Sequence, residues 1–307
     1  MQEVNILWFK KDLRLVDNEA LLESSKEFRI LPIYVVEKDL WKQKSHSDRQ
    51  WQFCKECLKD LQKDLEYLGQ PLIIRTGNVV EAFEQIKKDF EIKGIYSHQE
   101  TGDLYTFQRD KEVKEWAQKN NIIWKEYLQF GVFRGTIDRN HWGELWKSHI
   151  NKEIINKDFK FQPLEINSEK IPSDTYFKFN YDPCLGRLKG GRKEGLKRLK
   201  LFLNSKISSY SKDISNPQKS YFSCSRLSPY ITWGCISLRE IFSEVNKLKE
   251  NNSQMFKSRL FWHCHFIQKL ESEPELEFRE FHPYFSNLRE SNNYLIELWS
   301  TGKTGFP

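Results

Sequence analysis

The densest chemistry in this chain lies in Ser223-Cys224-Ser225-Arg226-Leu227-Ser228-Pro229-Tyr230, followed at once by Ile231-Thr232-Trp233-Gly234-Cys235-Ile236-Ser237. Small hydroxyls and backbone amides gather there at the start of a short helix. Ser228 is expected as its N-cap, with Pro229 at the first helical position. Gly234 can close that helix, and Ser237 with Glu240 has the spacing of a capping box opening the next. Amides left unpaired at such a start suit a phosphate, because they meet it with the positive end of the helix dipole. Arg226 adds a fixed cation. The same residues also make an ordinary helix-turn-helix corner, and local chemistry leaves both readings open.

A second concentration lies in Met255 to Leu270. Arg259, Trp262, His263 and Phe266 recur at helical spacings of three and four and are expected on one face. Phe256, Leu260, Cys264 and Ile267 make a separate apolar stripe for packing inward. An indole beside a cation suits stacking on a planar heterocycle next to a phosphate. A helix lying between two layers of core would carry the same pattern.

The six cysteines include a C-x-x-C, Cys54 and Cys57, and Cys264 lies between His263 and His265. Phe53 to Leu58 sits in a helical pattern with no second ligand pair at finger spacing, so free thiols are expected and no metal. The run Arg187 to Lys200 carries seven basic residues against Glu194 alone. It is a phosphate-facing stripe or, the reading preferred, a solvated helix face.

These residues need a scaffold. At 307 residues the chain is long enough for two domains. Apolar runs at Val4–Phe9, Ile30–Val36, Leu72–Arg75, Gly94–Ser97 and Ile122–Tyr127 read as five strands. Helical stretches at Asn18–Phe28, Asp48–Leu68, Val79–Phe90 and Tyr105–Lys119 lie between them. That alternation predicts an α/β fold with a doubly wound, parallel five-stranded sheet, whose ligands bind beyond the carboxyl ends of the strands. No G-x-G-x-x-G follows the first strand, which excludes a dinucleotide fingerprint. From 131 to 185 periodicity fades and Pro163, Pro172 and Pro183 punctuate polar text, as in a long connector wrapping the first domain. After Gly190-Gly191 the pattern is helical.

A net charge of +6 is compatible with an anionic partner. Aromatic residues make up 14% of the chain, with ten Trp, which points to stacking sites as well as core. The N-terminus has no basic leader and no window resembles a membrane span, so a cytoplasmic protein is expected.

Three motifs in order resemble the photolyase/cryptochrome family of flavin-dependent blue-light proteins. Trp8-Phe9-Lys10-Lys11-Asp12-Leu13-Arg14-Leu15-Val16-Asp17-Asn18-Glu19-Ala20-Leu21 resembles the family's W-F-R-x-D-L-R-x-x-D-N-x-A-L. Ser225 to Ser237 resembles its flavin-phosphate signature, T-S-x-L-S-P-Y-L-x-x-G-x-L-S. Trp299 and Gly302-Lys303-Thr304-Gly305-Phe306-Pro307 resemble W-x-x-G-x-T-G-x-P.

The resemblance implies an α/β antenna domain over 1–130, a linker over 131–185, and the first part of an all-α FAD-binding domain over 186–307. Tyr210, Cys224, Ser225, Arg226, Leu227 and Ser228 would line the FAD phosphates. Trp262, with Arg259 and His263, would stand at the edge of the flavin pocket, where a flipped pyrimidine dimer stacks in repair enzymes. The implied activity is a DNA photolyase acting on UV-damaged DNA by light-driven electron transfer, with a second antenna chromophore of unassigned identity and a monomeric state. A cryptochrome photoreceptor with a signalling partner, or an inactive fragment, are the alternatives.

Several positions depart from the family pattern. Cys224 stands where many members have Thr, Arg259 where dimer-repairing members have Glu, His263 where an Arg follows the Trp, and Ile214 where an Arg meets DNA. Tyr105 and Thr106 fall where folate-binding members use Asn and Glu, so the resemblance implies no folate antenna. Members also continue past the last motif, so the chain is expected to be truncated, with electron-transfer tryptophans beyond Pro307.

Overall fold

The computed structural model describes residues 1–306 apart from 136–137, 180–183, 249–252, 287 and 289–290, and not the side chains of 139–140. Pro183 and Pro307, named above, lie outside the described residues.

Five strands, β1 (Gln2–Phe9), β2 (Arg29–Val36), β3 (Ile73–Thr76), β4 (Phe90–His98) and β5 (Ile123–Tyr127), form one sheet in the order β3-β2-β1-β4-β5. Every pairing is parallel. Helices α1 (Glu19–Ser24), α2 (Lys38–Trp41), α3 (Asp48–Tyr67), α4 (Val79–Asp89) and α5 (Leu104–Lys119) connect them. Alternation along β1 divides the core between the two faces. Val4, Ile6 and Trp8 pack with Phe83 of α4 and Trp116 of α5. Leu7 and Phe9 pack with Leu21 of α1 and Trp51 and Leu58 of α3. The doubly wound parallel sheet is as expected.

The second half is helical: α6 (Arg139–Ile150), α7 (Arg192–Ser205), α8 (Ile207–Asp213), α9 (Pro217–Ser223), α10 (Ser228–Thr232), α11 (Leu238–Asn246), α12 (Gln254–Ser272) and α13 (Asn293–Ser300). It continues the core of one sheet face, since Phe202, Tyr230, Ile241 and Leu260 belong to the same buried cluster as Leu7 and Trp51. At the junction Trp41 stacks on Trp233, with ring centroids 5.5 Å apart and planes at 7°.

Helix α6 corrects the expectation that 131–185 lacks periodicity. Trp142, Trp146 and Ile150 lie at helical spacing, each under 5% exposed. Trp142 and Trp146 place their rings 4.8 and 5.0 Å from Phe261 of α12. Polar residues between them masked the stripe. The remainder of the connector does wrap the sheet. Ile74 N–H donates to Ser168 Oγ at 2.9 Å, and Glu169 N–H donates to the Ile74 carbonyl at 3.1 Å. The connector thereby covers the open edge of β3.

Beyond α12 the described chain buries little. Helix α13 has no buried residue, and Tyr284, Trp299 and Phe306 are 89%, 76% and 85% exposed.

Candidate functional site

The corner at 223–237 folds much as its residue types dictate, with one correction. Ser228 is the first residue of α10 rather than its cap. Leu227 occupies the cap position, without a side-chain hydrogen bond. The reason lies one residue earlier. Arg226 adopts φ +52°, and the turn drives Leu227 into the core, where it is 1% exposed. Ser225 Oγ accepts from Leu227 N–H at 3.4 Å. Gly234 closes α10 at φ +62°, with Cys235 N–H donating to the Tyr230 carbonyl at 2.8 Å. The capping box is present: Glu240 N–H donates to Ser237 Oγ at 3.0 Å, and Ser237 N–H to Glu240 Oε2 at 2.9 Å.

The corner presents donors. The amides of Ser225, Arg226 and Ser228 donate to no acceptor among the described residues. The Ser228 side chain is exposed, and the Arg226 guanidinium lies 4.2 Å from the Tyr221 ring centroid. Tyr210 packs edge-on against Phe202 and Phe256, at 5.5 and 5.4 Å. Its hydroxyl is close enough to Cys224 and Arg259 to feel both, and burial pushes its pKa up to about 12. It is therefore a protonated donor at neutral pH. Tyr210, Cys224 and Arg259, distant in sequence, share one neighbourhood.

On α12 the inward stripe is as expected, with Phe256, Leu260 and Cys264 buried and Ile267 packed on the core. Arg259 is exposed, and Trp262 and Phe266 are 44% and 60% exposed with rings 5.5 Å apart. His263 departs from that face. Its ring turns to Phe130, at 5.1 Å, and lines a cavity against the sheet. Successive helical residues are about 100° apart, so a neighbour of Trp262 is carried toward the Cys264 side. Burial lowers the His263 pKa to about 4.

A pH effect follows. An unfolded histidine titrates near 6.5. As pH falls the unfolded chain takes the proton first. Stability is then full above about pH 6.5 and lost on descent to about pH 4, by up to about 3 kcal/mol. Urea midpoints at about pH 7.5 and about pH 5 should differ less in His263→Gln than in the parent. An equal difference would refute the assignment.

No group of three metal-ligating side chains occurs among the described residues. Cys54 and Cys57 are free and buried, and the Cys57 and Cys235 sulfurs lie 3.3 Å apart. The basic run is mostly a solvated face: Arg187 pairs with Glu56 and Arg192 with Glu240, while Lys193, Lys197 and Lys200 are exposed.

The residues after β1 were quoted above only for their resemblance, and the structure gives them a task. Asp12 accepts from His98 Nδ1 at 2.7 Å, both side chains being buried. Burial lowers the His98 pKa. For Asp12 burial is the largest influence and opposes ionisation, but His98, the Lys10 amide and the Arg14 guanidinium together outweigh it and the carboxyl stays below its ordinary range. Arg14 donates to the Gly234 carbonyl at 3.2 Å and to Gln129 Oε1 at 3.1 Å. Asp17 accepts from Arg239 Nε at 3.0 Å and from Ile155 N–H at 3.2 Å. The turn at the carboxyl end of β1 is thus a latch onto α10 and α11. The signal in the sequence was a run of charges directly after a buried strand.

Two spaces lie at the carboxyl ends of the strands. At the switch between β1 and β4, a cavity of about 100 Å³ is lined by Lys10, Asp12, His98, Gln129 and His263. Beyond β1 and β2 the space is filled. There Glu37 pairs with Arg109 at 3.0 Å, and burial raises the Glu37 pKa to about 7. Both are smaller than about 300 Å³, the size at which small-molecule sites begin.

A parallel sheet is thus latched at its carboxyl ends to a helical layer, and a corner of that layer presents unpaired amides. Residues 5–129 match the family described as DNA photolyase, and residues 256–307 match the FAD binding domain of DNA photolyase; together they span more than half of the chain. The chloroplastic/mitochondrial cryptochrome DASH of Arabidopsis thaliana is 26% identical over 99% of this chain and 59% of its own length. The chain therefore spans about three fifths of that relative. The fold is shared with a bacterial class III photolyase from Agrobacterium tumefaciens (TM-score 0.82, 19% identity, all of this chain and 67% of that one). It is shared too with an archaeal photolyase from Sulfolobus tokodaii, solved with two FAD molecules (TM-score 0.80, 23% identity, 99% of this chain and 68% of that one). The chain belongs to the photolyase/cryptochrome family. No described helix is long and apolar enough to cross a membrane.

Proposed function

We propose that this protein is a flavin-dependent DNA photolyase that holds FAD by the 224–228 corner and presents Trp262 to a damaged base. The observation that carries the reading is the corner itself: free amides at Ser225, Arg226 and Ser228, beside the Arg226 guanidinium. This donor set fits the two phosphates of FAD, since oxyanions are best held by oriented N–H groups and a guanidinium. Tyr210 would donate its hydroxyl to the same group, and Leu227 would anchor the loop in the core. Cys224 contributes no hydroxyl where Thr is usual. The bound flavin would supply light-driven electron transfer to the lesion.

The half-exposed Trp262 indole, beside exposed Phe266 and Arg259, offers a stacking surface for a base taken out of its duplex. A blue-light photoreceptor is the second reading, and Arg259 favours it. A guanidinium offers no acceptor to the lesion bases, where repair members place a carboxylate. The 1–130, 131–185 and 186–307 division, UV-damaged DNA as partner, a monomer and a cytoplasmic location belong to this proposal. A second chromophore would have to bind outside the two spaces at the strand ends.

The test has two readouts. Arg226→Asn keeps a residue that tolerates positive φ but removes the guanidinium. The flavin dissociation constant should rise about ten-fold or more. Blue light should remove cyclobutane dimers from an irradiated oligonucleotide in proportion to bound flavin. Bound flavin without dimer loss selects the photoreceptor, and an unchanged flavin affinity in Arg226→Asn removes the corner from the site.

A further inference from the structure

A groove of about 540 Å³ runs between β5 and α5, along the outer edge of the sheet. That volume falls among small-molecule sites, which span about 300–1,000 Å³. Its floor is Trp124. The indole N–H is committed to Ser97 Oγ at 3.0 Å, and the ring packs on Trp8 at 5.8 Å. The ring is therefore held in place and half-buried, and what remains for the groove is aromatic surface. One wall is a single stripe of α5, formed by Phe107, Lys111, Lys114 and Gln118 at intervals of four, three and four. Glu126 and Arg134 form part of the other side.

The charges do not cancel. Asp110 and Glu126 are each shared between Lys10, at 3.4 and 3.5 Å, and Arg134, at 3.0 and 2.7 Å, and Asp110 also meets Arg109 at 2.8 Å. Both carboxylates are thereby offset by cations other than Lys111 and Lys114. Lys111 lies 4.4 Å from the Phe107 ring, and neither it nor Lys114 has a carboxylate partner among the described residues. Two surplus ammonium groups, one helical turn apart, stand beside an aromatic floor.

We propose that this groove binds a nucleotide, with its base on Trp124 and its phosphates on Lys111 and Lys114. An aromatic face for the base beside cations for the phosphates is a common way to hold a nucleotide. Glu126 and Gln118 add acceptors for an exocyclic amino group. Glu126 would repel an all-acceptor dicarboxylate, which selects an amino-bearing heterocycle. Free nucleotides and the units of a single strand share this chemistry. The site is separate from the corner at 224–228, and no step of the flavin reading depends on it.

Calorimetric titration of the flavin-loaded protein with ADP tests the proposal, with a short oligodeoxyadenylate as a parallel arm. ADP should bind saturably, and adenosine at least about ten-fold more weakly, because it lacks the phosphates. The double variant Lys111→Glu/Lys114→Glu, with both positions exposed, should weaken ADP by about ten-fold or more at unchanged flavin content and urea midpoint. Lys114→Gln serves as a milder second variant. Tighter binding of the oligodeoxyadenylate, equally lost in the double variant, would assign the site to single-stranded ends. Absence of saturable binding by both ligands, or equal affinity in the parent and both variants, would overturn it.

Discussion

Replacing Asp17 with Ala is expected to destabilise the fold by about 3–5 kcal/mol, the cost of removing one member of a buried ion pair. Asp17 is 1% exposed and sits between Arg14, which donates twice to its carbonyl at 3.2 and 3.0 Å, and the Arg239 guanidinium. Without the carboxylate, Arg239, itself 7% exposed, would be a buried cation without its partner, and Ile155 N–H would lose its acceptor. Burial disfavours the charge on Asp17, yet Arg14 and Arg239 outweigh it and hold the carboxyl below its ordinary range. Asp17→Asn should cost less. Asn keeps one acceptor and tolerates the φ of +55° found here, whereas Ala does neither well. The check is the urea midpoint of both variants at unchanged slope. An Ala variant within about 1 kcal/mol of the parent would show that the latch does not join the two parts.

Gly234→Ala is the second large effect. A β-carbon there would meet the Lys11 carbonyl oxygen at 2.3 Å, Asp12 Cα at 2.5 Å and Gln129 Nε2 at 2.6 Å. Two of these are backbone atoms of the turn after β1, which Arg14 and Asp12 hold rigidly, so they have nowhere to retreat. The φ of +62° adds its own penalty, about 1–2 kcal/mol for a residue with a side chain, and the overlap adds about 1–3. Thermal unfolding should fall by roughly 5–15 °C. Because Gly234 closes α10, flavin affinity should fall with it. A variant with parental Tm would mean that the helical layer can shift away from the sheet at little cost.

The two variants probe one joint from opposite sides, and that joint ties the turn after the first strand to the corner some two hundred residues later. Arg14 and Asp17 hold Gly234 and Arg239, and so the ends of the helices on which the 224–228 corner is built. The corner's donors can face a ligand because α10 and α11 are held from behind.

Much of this was legible in the residues. Buried apolar runs alternating with amphipathic stretches determined the parallel sheet, since a strand covered on both faces must be apolar throughout. Ser237 and Glu240 announced their capping box, and Gly234 its positive φ, because both are settled within a few residues. Cys54 and Cys57 lie on one helix, as the pattern around them implied. Helix α6 was missed although Trp142, Trp146 and Ile150 carry its period, because three apolar positions in polar text read as a connector.

What the sequence could not decide was direction and company. His263 lies four residues from Arg259 and three from Phe266, but whether it faced solvent or the sheet depended on Phe130, more than a hundred residues earlier. The cap of α10 moved to Leu227 because the core claimed that side chain. Trp124 and Lys114 become one groove only once α5 lies along β5. Local hydrogen bonding is written into neighbouring residues, and so the elements and their caps are determined by the chain alone. Which charges pair, and which surfaces remain open, depends on contacts between residues far apart, and only the packed structure decides them.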